Sequence, residues 1–209
     1  MGNIGGDCMR PLTFFTSSAI RIIESLLDHS AYLRELSEKT CLSSSMVHKT
    51  LLILKENGLV ASTDQKNRKI FVINQKSPLA QKIVGLVMVN KIVHSVGFAQ
   101  LRKTNPKSIV LFGSAHSGTM AAGSDIDLAV LFDQKFDAFK LSAIKKQLSS
   151  ELKREVDLIS LTPEKIREMR QQKTELLNQI RYKSTVLWGD SIEIDGWLFR
   201  ERAFEKKWA

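Results

Sequence analysis

Between Ser108 and Leu161 the chain repeatedly takes on strand character. SIVLF (108–112), DIDLAVLF (125–132) and EVDLISL (155–161) are short apolar runs, the first two separated by a Gly/Ser-rich loop and the last two by a helical stretch from about Phe136 to Arg154. In a strand, side chains at i and i+2 share a face, so Asp125 and Asp127 project together while Ile126 and Leu128 enter a core. Asp157, between Val156 and Leu158, follows the same alternation. Pro163 opens a further helix that carries through to about Arg181, and STVLWGD is a last strand candidate before a Trp-rich, charged tail.

Upstream, Phe14, Phe15, Ala19, Ile20, Ile23, Leu26 and Leu27 recur at helical spacing and predict an amphipathic helix ending near Asp28. Ser30 is placed to cap a second helix over Ala31–Lys39, and Ser43 a third that stops at Asn57-Gly58. LVAST (59–63) and KIFVIN (69–74), joined by DQKNR, predict a hairpin. Ser77-Pro78 reads as the start of one long helix, about Leu79 to Leu101. Its apolar stripe (Leu79, Ile83, Leu86, Val89, Ile92, Val93, Val96) packs the helix on the C-terminal domain or, in part, forms a homodimer seam. The expected domains are residues 1–76, a linking helix 77–104 and residues 105–209.

Residues 110–132, VLFGSAHSGTMAAGSDIDLAVLF, carry the most specific pattern: Gly113-Ser114, three residues, Gly118, five residues, then Ser124-Asp125-Ile126-Asp127-Leu128. The spacing resembles that of the polymerase-beta nucleotidyltransferase superfamily, and within it the minimal nucleotidyltransferase branch, over roughly residues 80–190. The resemblance implies a small mixed sheet flanked by helices. It also implies a metal-dependent transfer of a nucleoside monophosphate, AMP from ATP, to a hydroxyl. Asp125, Asp127 and Asp157 would hold two Mg²⁺ or Mn²⁺ ions, because paired carboxylates repel unless a hard cation sits between them. Gly113, Ser114 and Ser124 would contact the nucleotide, the first two where free N–H groups at a strand-to-helix turn suit a phosphate. The branch includes antitoxin-like enzymes that modify a partner toxin, so a protein acceptor is expected. In one departure from the family, the usual basic residues before the second Gly are replaced by Ala115-His116-Ser117. His116 either substitutes for them in part or is a solvated loop residue.

Three helices followed by a hairpin resemble the winged helix-turn-helix domains of small prokaryotic regulators, most specifically at LSSSMVHKTLLILKENGLV (Leu42–Val60). Val47, Leu51 and Leu54 would face the core, leaving Ser44, Ser45, His48, Lys49 and Lys55 outward toward a DNA major groove. Lys66, Arg68 and Lys69 at the hairpin tip would sit on phosphates. The fold class expected is therefore α+β, a winged helix and a nucleotidyltransferase fold joined by a helix. In the alternative reading the second domain is inactive and serves a transcriptional regulator as a nucleotide sensor or dimerisation module.

Composition agrees with both readings. A net charge of +9 favours polyanionic partners. Cys8 and Cys41 lack metal-ligand or disulfide spacing, and the apolar run Ile83–Val89 is too short to span a bilayer. No signal sequence is evident at the N-terminus, so a cytoplasmic protein without a membrane partner is expected.

Overall fold

The computed structural model describes residues 15–65 and 68–189. Cys8, Phe14, Lys66, Asn67 and the tail from Asp190 lie outside the described residues. The chain divides into two compact units, Met1–Ala80 and Gln81–Ala209.

The first unit comprises α1 (Ser17–Leu26), β1 (Ala31–Tyr32), α2 (Leu33–Thr40), α3 (Ser44–Glu56), β2 (Val60–Gln65) and β3 (Arg68–Ile73). Its strands form an antiparallel sheet in the order β1-β3-β2. Thr16 caps α1, its Oγ1 accepting the Ala19 N–H at 3.2 Å, so Phe15 lies ahead of the helix and is 53% exposed instead of entering the core. The segment expected to begin a second helix at Ala31 first makes a strand, with Ala31 opposite Phe71. α2 starts only at Leu33, where Glu35 Oε2 accepts the Tyr32 N–H at 2.9 Å, so Glu35 supplies the cap expected of Ser30. α3 begins as expected, with Ser43 Oγ accepting the Met46 N–H at 3.3 Å. Val47, Leu51 and Leu54 are buried on one face, and Gly58 at φ 69° turns the chain into β2. Gln65 pairs with Arg68, so the hairpin strands run further toward the tip than their apolar residues indicate.

Next come α4 (Pro78–Val93), α5 (Val96–Lys103), β4 (Ser108–Phe112), α6 (Gly113–Ser117), β5 (Ile126–Leu131), α7 (Ala138–Leu152), β6 (Val156–Leu161), α8 (Pro163–Gln171), α9 (Glu175–Tyr182) and β7 (Ser184–Gly189). The expected single long helix is broken. α4 and α5 meet at a 64° bend, where Ser95 caps α5 by accepting the Phe98 N–H at 3.1 Å. Gly97 then lets α5 approach α7, since a Cβ there would lie 2.8 Å from the Leu148 side chain. The apolar stripe is also split: of its residues Ile83 and Ile92 are buried, Val89 and Val93 are half-buried, and Leu79, Leu86 and Val96 are exposed, while Val84, Val87 and Met88 outside it are buried. Among the described residues no single helix is long and apolar enough to cross a membrane, although the bent pair α4–α5 reaches that standard together by length and composition. The expected helix from Pro163 to Arg181 is likewise two helices, separated at Lys173, whose φ is 49°.

The sheet is mixed, in the order β6-β5-β4-β7, with β5 and β6 parallel and the other neighbours antiparallel. Its period-two alternation builds two faces. Val110, Phe112, Ala129 and Leu131 join Leu161, Ile166, Met169 and Ile180 in one core cluster, while Ile109, Leu111, Leu128 and Val130 are fully buried on the opposite face. α7 is the crossover that a parallel β5–β6 pair requires.

Candidate active site

The parallel register of β5 and β6 sets Asp127 directly opposite Asp157. Register partners in a parallel pair point to the same side of the sheet, and Asp125, two residues before Asp127, shares that side. Asp127 is half-buried, while Asp125 and Asp157 are exposed. Burial, then the Asp157 and Asp125 carboxylates, hold the Asp127 carboxyl above the usual carboxylate range. The three acids thus act on one another, as a site for positive charge requires.

Gly113 stands where β4 meets the one-turn helix α6, and the preceding residue, Phe112, pairs with Asp127. At φ 69°, a Cβ on Gly113 would fall 2.1 Å from Asp127 Oδ2, so the carboxylate lies directly against the glycine backbone. Ser114 follows within α6, its carbonyl accepting the Thr119 N–H at 3.1 Å. Gly118, at φ 74°, closes α6 against α4, where its Cβ would come 1.7 Å from the Gln81 carbonyl oxygen. Ser124 Oγ accepts the Ala121 N–H at 2.9 Å, closing the turn before β5 and leaving the hydroxyl its own proton to donate. His116 is half-buried, with Nδ1 2.8 Å from Thr185 Oγ1. Burial, and secondarily Lys82, lower its pKa.

Two residues that sequence reasoning missed complete the surroundings. Arg154 is buried and donates from Nη1 to the carbonyls of Ala121 (3.2 Å) and Ser124 (2.9 Å), tying down the loop that delivers Asp125. Lys145 on α7 donates to Asp157 Oδ1 at 2.9 Å and lies 4.0 Å from Glu155 Oε1. The Asp157 hydrogen bond, above all, pushes the Lys145 pKa up. Neither base has a motif of its own; each reads as an ordinary charge at the polar face or end of a helix until the sheet brings it to the site.

A divalent ion fits the chemistry of Asp125 and Asp127, two hard oxygen ligands at one strand start whose charges repel. Asp157 is engaged by Lys145, and among the described residues no three His, Cys, Asp or Glu side chains are gathered closely enough to enclose an ion.

In the first unit Ser44, Ser45, His48, Lys49 and Lys55 are all exposed on α3, as are Arg68 and Lys69 on β3; Lys66 lies outside the described residues. Ser44 Oγ is 3.5 Å from Ser37 Oγ, Ser45 Oγ is 3.2 Å from Ser43 Oγ, and Lys55 Nζ donates to Ser62 Oγ at 3.0 Å. His48, Lys55, Arg68 and Lys69 line a cavity of about 490 Å³ whose apolar wall includes Leu52 and Phe71. Met46, Leu52 and Ile53 on α3 are also exposed, apolar side chains that helical spacing does not assign to a polar face.

Residues 99–191 match the family described as Polymerase beta, Nucleotidyltransferase. The chain is 36% identical over 91 residues to the protein adenylyltransferase MntA of Shewanella oneidensis; the match covers 43% of this chain and 60% of that relative's length. A solved structure described as a toxin-antitoxin with AMP-PNP is 29% identical, covering 57% of this chain and 87% of that one at a TM-score of 0.41. Another, of a tri-AMPylated Shewanella oneidensis HEPN toxin in complex with an MNT antitoxin, is 26% identical, covering 59% and 87% at 0.38. Over residues 99–191, fewer than half of its residues, this chain is similar to polymerase-beta-type nucleotidyltransferases, and it spans less than two thirds of the length of the curated relative.

Proposed function

We propose that the second unit transfers AMP from ATP to a hydroxyl group on a partner protein. The observation that carries this reading is the register pairing of Asp127 with Asp157 beside the Gly113 turn, with Asp125 on the same side. The relative named a protein adenylyltransferase supports the choice of nucleotide and acceptor. The acceptor oxygen attacks the α-phosphorus in line, the bond from that phosphorus to the bridging oxygen breaks, and pyrophosphate leaves. Asp157 takes the hydroxyl proton. The N–H groups of Gly113 and Ser114, at the start of α6 where no helical acceptor exists for them, and the Ser124 hydroxyl bind phosphate oxygens. Asp125 and Asp127 would hold Mg²⁺ or Mn²⁺, and Asp157 would join them only where a bound nucleotide's phosphates supply the remaining ligands; such ions would polarise the phosphate and neutralise its charge. Arg154 keeps the aspartate loop in place.

Labelled ATP, a divalent ion and proteins captured from the native host test the proposal. Label should appear on one captured protein and be lost with Asp125→Ala plus Asp127→Ala; transfer that survives the double substitution would refute it. The Ala115-His116-Ser117 stretch favours a second reading, a nucleotide-sensing regulator, because between Gly113 and Gly118 it brings no Lys or Arg to a triphosphate. Nucleotide binding without transfer to any partner would establish that reading instead.

The first unit is proposed to be a DNA-binding winged helix. Supporting this are the helix order, the antiparallel β1-β3-β2 sheet and the basic residues exposed on both α3 and β3.

A further inference from the structure

We propose that Lys145 is a positioning residue for Asp157: its ammonium occupies the cation seat at that carboxylate and yields it to a divalent ion only once a nucleotide's phosphates are bound. The inference rests on the nucleotidyl-transfer reading and deepens it. Lys145 lies on α7, whose buried residues Leu141, Ile144 and Leu148 fix the helix, and its side chain is 35% exposed. Its Nζ is 2.9 Å from Asp157 Oδ1 and 4.0 Å from Glu155 Oε1, so the seat is already filled by a charge of the right sign.

The electrostatics decide the order of events. One divalent ion held by Asp125 and Asp127 would be countered by those two carboxylates. A second ion at Asp157 would have to share the carboxylate with an ammonium about 4 Å or less away, a like-charge contact that the single acid cannot offset. A bound triphosphate changes the balance by bringing several negative charges, which both retain the second ion and offer Lys145 new oxygen acceptors. The Ala115-His116-Ser117 stretch supplies no fixed cation to take that role from Lys145.

Mn²⁺ titration of the full chain, followed by the electron paramagnetic resonance signal of free Mn²⁺, tests the proposal with and without the non-transferable analogue α,β-methylene-ATP. Without nucleotide, Lys145→Met should bind a second ion about tenfold or more tightly than wild type, while Lys145→Arg should match wild type. With the analogue, both wild type and Lys145→Met should bind two ions with affinities within about twofold. In an Asp157→Asn background, Lys145→Met should no longer change the isotherm, which separates a contact with Asp157 from a general effect on folding. Coincident nucleotide-free isotherms for wild type and Lys145→Met would overturn the proposal, as would a gain that persists without Asp157. If the isotherms behave as expected but no label is transferred, Lys145 keeps its role and only the enzymatic reading fails.

Discussion

Gly113 and Gly123 both have positive φ, but only one of them faces a functional group. A Cβ on Gly113 would stand 2.1 Å from Asp127 Oδ2, whereas one on Gly123 would meet nothing within 4 Å. Gly113→Ala should therefore lower kcat/KM for the proposed AMP transfer about 100-fold or more, since the aspartate must move, in addition to the backbone strain of about 1–2 kcal/mol that Gly123→Ala also incurs. Measured side by side, equal losses of activity in the two variants would mean that the Asp127 contact is unimportant. Asp127 itself yields a prediction of opposite sign. Its carboxyl is held above the usual range, first by burial and then by Asp157 and Asp125. In the folded state it therefore retains its proton to a higher pH than in the unfolded chain, and its ionised form destabilises the fold at neutral pH. Asp127→Asn should raise Tm at pH 7, a stabilisation below about 1 kcal/mol after solvent screening, while abolishing transfer. The gain should vanish as pH falls below the unfolded-state value, where both side chains are neutral; a lower Tm at pH 7 would contradict the assignment. The acids were legible because strand alternation and the Gly-Ser spacing are local. Lys145 and Arg154 were not, because their partners Asp157, Ala121 and Ser124 reach them only through the folded β5–α7–β6 unit.

At the level of elements, the clearest departure from the sequence pattern is the break between α4 and α5. Val93 and Val96 sustain the apolar spacing across Ser95, so periodicity alone reads one helix. Tertiary packing overrides it: Gly97 crosses α7 so closely that a Cβ would be 2.8 Å from Leu148. Intrinsic propensity favours alanine over glycine in a helix by about 1 kcal/mol, whereas overpacking costs about 1–3 kcal/mol. Gly97→Ala should therefore destabilise the protein on balance, with denaturant midpoints as the measurement, and a stabilised variant would show that α5 is free to move away from α7. β1 departs for a similar reason. Ala31 is fully buried opposite Phe71, and its pairing with β3 overrides the helix start that Ser30 signals in the sequence. The strands of the second unit were easier to read, since their buried branched residues support no competing periodicity.

Across the whole molecule, the net charge of +9 belongs to a chain whose first unit exposes Lys49, Arg68 and Lys69, and whose second presents three carboxylates at one sheet end. The hairpin of the first unit and the strands of the second were readable from the sequence, because strand periods are bounded there by Gly, Pro and Ser, whereas β1, the α4–α5 break and the α8–α9 break were not. What the α3 face binds was less legible, since Met46, Leu52 and Ile53 are exposed among its polar residues and would equally suit a protein partner. Salt dependence separates the two. Binding to duplex DNA should weaken steeply with salt, and the log–log slope should shrink by about 0.9 for every phosphate that a substitution leaves unneutralised. Lys49→Ala and Arg68→Ala should each lower affinity at all sequences and flatten that slope by roughly the share of one phosphate, whereas Asp125→Ala plus Asp127→Ala should leave it unchanged. If the two basic substitutions leave both affinity and slope intact, the exposed apolar residues of α3 become the basis of its recognition, and the first unit is a protein-binding module.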